Sequence, residues 1–176
     1  MLPVSIAIFT WLAAAIHPFD DSTARAVVLL FTRTDCPISN RYAPEVKRVS
    51  EKYSGQGVRF YLVYPDKDET PAAIEKHRAE FGYPMAAIQD PAHEWVARVS
   101  AKVTPEAAVF VPSSAGKRDY RLVYHGRIDD RYIDFGKSRR EATVHDLQNA
   151  IEAALAGRAI TPAVTKAIGC YIADLR

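Results

Sequence analysis

The sequence predicts an α/β fold, a mixed central sheet flanked by helices on both faces, and three observations carry that prediction. Residues 26–32 form a continuous apolar, β-branched run that leads straight into a polar turn and a helix-like segment. Apolar runs of strand length then alternate with segments at helical spacing, in the order β-α-β-α-β-α-β-β-α. Two late apolar runs flank a turn, as expected for an antiparallel hairpin joined to early parallel strands.

Each element has its own reason. Residues 26–32 read as a buried strand because they contain no turn former. Residues 39–53 place Tyr42, Val46, Val49 and Tyr53 at a three-to-four spacing, which predicts an amphipathic helix. Pro44 falls inside it and predicts either a kink or the true first turn. Gly55 and Gly57 end the element, and residues 58–64 form the second strand. Thr70-Pro71 supplies an N-cap and a first-turn proline for a helix running to Phe81-Gly82. Residues 85–89 make a short strand, and Asp90-Pro91 opens a helix that presents Trp95, Val96 and Val99. Residues 107–111 and 120–125 are the hairpin, with a turn at 112–116. A last amphipathic helix over 144–155 faces inward through Leu147, Ile151 and Leu155.

At 176 residues the chain is one domain with room for a substantial core. A net charge of +2 makes no case for a nucleic-acid partner, and Lys47-Arg48 and Arg139-Arg140 read as solvated helix charges. The apolar stretch before His17 is too short for a stable membrane span. Ala13-Ala14-Ala15 resembles a secretory cleavage site, although no Lys or Arg precedes Arg25. Residues 1–24 are therefore expected to be a leader or a packed N-terminal segment, 25–156 the domain, and 157–176 a C-terminal tail. Export to the periplasm or medium is the expected location, with the cytoplasm as the alternative.

Two cysteines, Cys36 and Cys170, are too few for a disulfide scaffold or a four-thiolate zinc site. Cys36 stands between a strand end and a helix start. There the helix dipole and unpaired N–H groups lower a thiol pKa, and Arg33 and Arg41 add an electropositive setting that Asp35 opposes. This makes Cys36 the candidate nucleophile, reachable from solvent. Ser39, one turn on, either donates its hydroxyl to the thiolate or is an ordinary early-helix serine.

These residues resemble the thioredoxin-fold redoxins, the group of thioredoxin-like proteins and thiol-specific antioxidant peroxidases. Cys36-Pro37-Ile38-Ser39 takes the place of the family's C-x-x-C motif, with Ser39 where the second cysteine would stand. Val103-Thr104-Pro105 takes the place of its cis-proline loop. The runs 34–45, 126–130 and Gly169-Cys170 are similar to a bacterial, often exported redoxin subgroup.

The resemblance implies a thioredoxin-like sheet and an oxidoreductase acting on protein thiols and disulfides or on peroxide. It needs no cofactor or metal, and an electron donor of unidentified kind recharges it. It makes Cys36 the nucleophile and Thr34, Pro37, Thr104 and Pro105 the groove, with the backbone edge at Thr104 holding an extended partner segment. Cys170 is read as the resolving cysteine or, alternatively, as a spare tail thiol, with Gly169 letting the chain turn in. Arg127 either lends charge to the thiol or pairs with Asp129 and Asp130 on the surface.

Two other classes stay open. Cys36, Cys170 and His125 are the set from which a soft Cu(I) carrier site would be assembled. A non-catalytic interaction domain of the same fold is the other. His17, His77, His93 and His145 have no ligand spacing and read as surface or helix residues.

Overall fold

The computed structural model describes residues 16–113 and 119–175. The expected cleavage site at 13–15 and most of the hairpin turn lie outside the described residues. The element order is β1 (Ala26–Phe31), α1 (Pro37–Ser54), β2 (Val58–Tyr64), α2 (Pro71–Phe81), β3 (Ala86–Gln89), α3 (Glu94–Val99), β4 (Val103–Thr104), β5 (Glu106–Pro112), β6 (Tyr120–Gly126), β7 (Tyr132–Asp134), β8 (Lys137–Ser138), α4 (Asp146–Leu155) and β9 (Cys170–Tyr171). The central sheet has the order β3-β2-β1-β5-β6. β1 pairs in parallel with β2, and β2 with β3, whereas β5 runs antiparallel to both β1 and β6. This is the mixed thioredoxin-like sheet.

β1 lies in the middle, and all six of its residues are buried. Its side chains alternate between two cores. Ala26, Val28 and Leu30 meet Tyr42, Val46, Val49 and Tyr53 of α1 and Leu147 and Ile151 of α4, and Ile74 of α2 joins that cluster. Val27, Leu29 and Phe31 meet Val96 and Val99 of α3, Phe19 and Ile172 on the other face. Full burial of a Val, Leu or Phe side chain contributes about 1.5–3 kcal/mol, so β1 anchors both layers. Phe19 stacks on Tyr120 at 4.5 Å between ring centroids, so this part of the N-terminal segment is packed on the domain.

Several boundaries differ from expectation for identifiable reasons. α1 begins at Pro37, with Cys36 as its N-cap, and runs through Pro44 to Ser54. Burial of the Tyr42–Tyr53 stripe outweighs the one backbone bond that Pro44 removes. α3 starts at Glu94, not at Asp90-Pro91. Asp90 still caps it from outside, its Oδ2 accepting from the N–H groups of Trp95 and Val96 at 3.1 and 3.0 Å. α4 starts at Asp146, leaving Val144 exposed.

The tail is more ordered than its sequence suggests. Residues 163–165 hydrogen-bond along His125, and β9 pairs antiparallel with β4. Thr104–Pro105 and Thr161–Pro162 are cis peptides.

Candidate functional site

The turn after β1 is held by a chain of buried polar groups. The Thr34 N–H donates to Glu69 Oε1 at 2.6 Å, and its carbonyl accepts from Asn40 Nδ2 at 3.1 Å. That orientation turns Asn40 Oδ1 toward His77 Nε2, 2.9 Å away, so Nε2 carries the proton. His77 Nδ1 then accepts from the Tyr64 hydroxyl at 2.8 Å. His77 is therefore a helix residue, one of the two expected places, but buried as a neutral connector. Burial holds its pKa below the usual histidine value. Neither Asn40 nor Glu69 is signalled by local spacing, because each reaches the turn through tertiary packing.

Cys36 caps α1 with its own sulfur, which accepts from the Ser39 backbone N–H at 3.4 Å. The Thr104 carbonyl oxygen lies 3.1 Å from Sγ and accepts its S–H while the thiol is protonated. The Cys170 sulfur lies 2.8 Å away. Burial pushes the Cys36 pKa up. Hydrogen bonds from the Cys170 thiol, from the Ser39 hydroxyl and backbone N–H, and from the Thr104 hydroxyl overcome it, and the thiol is held below its ordinary value. The Ser39 hydroxyl is buried without a hydrogen-bond partner of ordinary geometry, so the backbone amide is the well-aligned donor.

Two expectations about Cys36 are corrected. It is only 1% exposed, because Cys170 and the tail cover it, so it is not directly open to solvent. Arg33 does not supply a free positive charge: its guanidinium sits 3.0 Å from Asp35 and 3.2 Å from Asp66. Arg41 is exposed on α1. The sulfur is tuned by hydrogen bonds rather than by arginines.

Cys170 reaches Cys36 because β9 registers Thr104 against Cys170. The edge expected to hold a partner segment is thus occupied by the protein's own tail. Both cysteines are free thiols, Cys36 buried and Cys170 half-buried. Burial, then the hydrogen bond to Cys36 and the charge there, push the Cys170 thiol up to about 12. The two shifts run in opposite directions, so Cys36 is the first of the pair to ionise, and the Cys170 S–H then donates a hydrogen bond to its sulfur.

The remaining candidates divide. Thr104 and Pro105 are buried beside the sulfurs, Thr34 is half-buried in the turn, and Pro37 is exposed at the first position of α1. Arg127 is at neither expected place. It pairs with Asp146 at 2.7 Å, because Asp129 is turned to Tyr42 and Asp130 to Thr143 and Val144. His125 does not join the cysteines; its Nδ1 lies 3.2 Å from Glu106 Oε1.

Among the described residues, Glu45, Asp129 and His145 are the group whose ligand atoms lie within 4.8 Å of one another. Arg48, 2.7 Å from Glu45, and Arg131, 3.5 Å from Asp129, already balance those carboxylates.

With this geometry in view, comparisons with known proteins agree on the fold. A comparison with curated proteins gives no match. Among solved structures, the chain is similar to a hypothetical protein of Sinorhizobium meliloti 1021, with a TM-score of 0.71, 24% identity, and coverage of 88% of this chain and 81% of that one. It is also similar to an uncharacterized conserved protein of Geobacillus kaustophilus, with a TM-score of 0.69, 24% identity, and coverage of 90% and 86%. A thioredoxin-like protein solved in its oxidized form matches at a TM-score of 0.54, with 14% identity over 77% of this chain and 80% of that one. The AhpC/TSA family profile matches residues 13–120, which include β1, the Cys36 turn and the Thr104–Pro105 loop. The chain is a thioredoxin-fold redoxin and belongs to the AhpC/TSA family.

Proposed function

We propose that the protein is a thiol–disulfide oxidoreductase of the redoxin type, with Cys36 as nucleophile and Cys170 as the cysteine that resolves the product. The observation that carries this reading is the 2.8 Å separation of the two sulfurs, one a helix N-cap and the other fixed by strand pairing.

The Cys36 thiolate attacks a substrate disulfide sulfur, the substrate S–S bond breaks, and one substrate thiolate leaves. The negative charge at Cys36 is then gone. So are the hydrogen bond and the charge that helped to raise the Cys170 pKa, and Cys170 gives up its proton more readily. Its thiolate attacks Cys36 Sγ, closing the internal disulfide and releasing the second substrate thiolate. An external dithiol donor restores the pair.

The test is peptide mapping of the oxidised protein. A Cys36–Cys170 bond is expected, and two free thiols after oxidation would remove the resolving role. A second reading, thiol peroxidase, is favoured by the Ser39 and Thr104 hydroxyls, which border the sulfur and have no well-formed hydrogen bond elsewhere. Stoichiometric consumption of hydrogen peroxide, abolished in Cys36→Ser, selects it.

A periplasmic or secreted location suits a protein that cycles through a disulfide, and the apolar N-terminal stretch supports that placement. Among the described residues no helix is long and apolar enough to cross a membrane.

A further inference from the structure

An extended polypeptide binds a short exposed strand by adding to its edge, main chain to main chain. The strand beside the reactive sulfur is β4, whose Thr104 carbonyl stands 3.1 Å from Cys36 Sγ. Its edge is already filled. β9 lies on it in antiparallel register, with Cys170 opposite Thr104 and Tyr171 opposite Val103. The tail therefore presents a sulfur where a substrate strand would present its own.

Four further contacts hold the tail there. Gly169 lies flat on Thr104, and the Ile172 N–H donates to the Lys102 carbonyl at 3.0 Å. The Ile172 side chain is 4% exposed in the second core. Beyond it, Lys67 and Asp174 pair at 2.7 Å.

We propose that residues 169–172 are a built-in occupant of the substrate strand's place, so that the closed protein accepts small disulfides and refuses disulfides carried on extended chains. The inference rests on the oxidoreductase reading above. A small disulfide asks only that the half-buried Cys170 side chain give way while β9 stays paired with β4. A peptide strand needs β9 to leave whole, giving up its strand pairing and the burial of Ile172. With RSSR as the small substrate, Cys36 Sγ bonds to one RS group and the other leaves as RS⁻ and takes a proton from water. Cys170 then displaces the second RS⁻, so one disulfide is reduced to two thiols as the cysteine pair is oxidised.

The experiment uses the full chain, reduced, in a single turnover against bis(2-hydroxyethyl) disulfide and against insulin. Oxidised Cys36 is read by alkylation and mass spectrometry, and each rate is divided by that of glutathione with the same disulfide. The wild-type protein is expected to favour the small disulfide at least tenfold on this scale. Ile172→Asp, and separately Ile172→Ala should the former fold poorly, are expected to raise the insulin rate at least tenfold and the small-disulfide rate less than threefold. Equal normalised rates in the wild-type protein, or an insulin rate unmoved in both variants, would overturn the proposal while leaving the oxidoreductase reading intact. No reaction with either probe would overturn that reading and this proposal with it.

Discussion

Gly169 lies so close to Thr104 that a Cβ built on it would stand 2.1 Å from the Thr104 carbonyl oxygen. No real Cβ tolerates that distance, so the glycine is required by the approach of two backbones. This contact sets the depth at which Cys170 enters the site, since the next residue is the one paired with Thr104.

Gly169→Ala should therefore push β9 off β4. The expected cost is of the order found for overpacking, about 1–3 kcal/mol, with a slower and less complete Cys36–Cys170 bond on oxidation. Denaturant unfolding and peptide mapping measure the two effects, and an alanine variant that oxidises as the wild type does would remove Gly169 from its positioning role.

The pH profile of Cys36 reports its hydrogen bonds. Alkylation of Cys36 followed against pH should give a midpoint below that of an ordinary thiol. Cys170→Ala should raise that midpoint, because the Cys170 thiol is the largest of the influences that lower it. The signs for stability oppose each other. The depressed Cys36 pKa adds stability that is fully present above the unfolded thiol pKa and is lost as pH falls through the folded one. The raised Cys170 pKa adds stability that is present below the unfolded value and is lost as pH rises toward about 12. A wild-type midpoint at or above that of Cys170→Ala contradicts this account.

Oxidation should stabilise the fold. A bond between Cys36 and Cys170 closes a long loop and on the chain-entropy view contributes at most about 4–5 kcal/mol. The oxidised form should unfold at a higher denaturant concentration than the reduced form, and the difference should vanish in Cys170→Ala.

Asn40→Ala would leave the His77 Nε2–H without its acceptor in a buried site. Loss of such a partner costs about 1–3 kcal/mol. Unfolding should register it, and faster hydrogen exchange at Thr34 would show that the turn has loosened.

Arg127→Ala separates a structural role from a catalytic one. Asp146 would remain buried without its guanidinium partner. Because Arg127 is a third exposed, the expected cost is about 1–3 kcal/mol, below the figure for fully buried pairs. The alkylation profile of Cys36 should not move; a shift there would return Arg127 to the thiol.

Much of the scaffold could be read in advance because it depends on neighbours in sequence. The alternating apolar runs mark the central strands, and Thr70-Pro71 with Gly82 marks both ends of α2, where the Thr70 hydroxyl accepts from the Ala73 N–H at 3.2 Å. Short strands such as β4, β7, β8 and β9 are invisible at that level, since two or three residues carry no periodicity and exist only through their partners. The same holds for charge. Arg33 looks like a free charge beside the thiol in one dimension, yet Asp35 and Asp66 both pair with its guanidinium.

By itself the sequence determined that a cysteine would stand at the end of a buried strand and the head of an amphipathic helix, because strand and helix patterns are local properties of the chain. It also set the identity of the second sulfur, since Cys170 is the only other cysteine. Tertiary structure alone decided that these two meet, that Cys36 is covered, and that the Thr104 edge belongs to the tail. Those outcomes depend on backbone pairing between segments more than sixty residues apart, as in the register of Thr104 with Cys170, which no local pattern encodes.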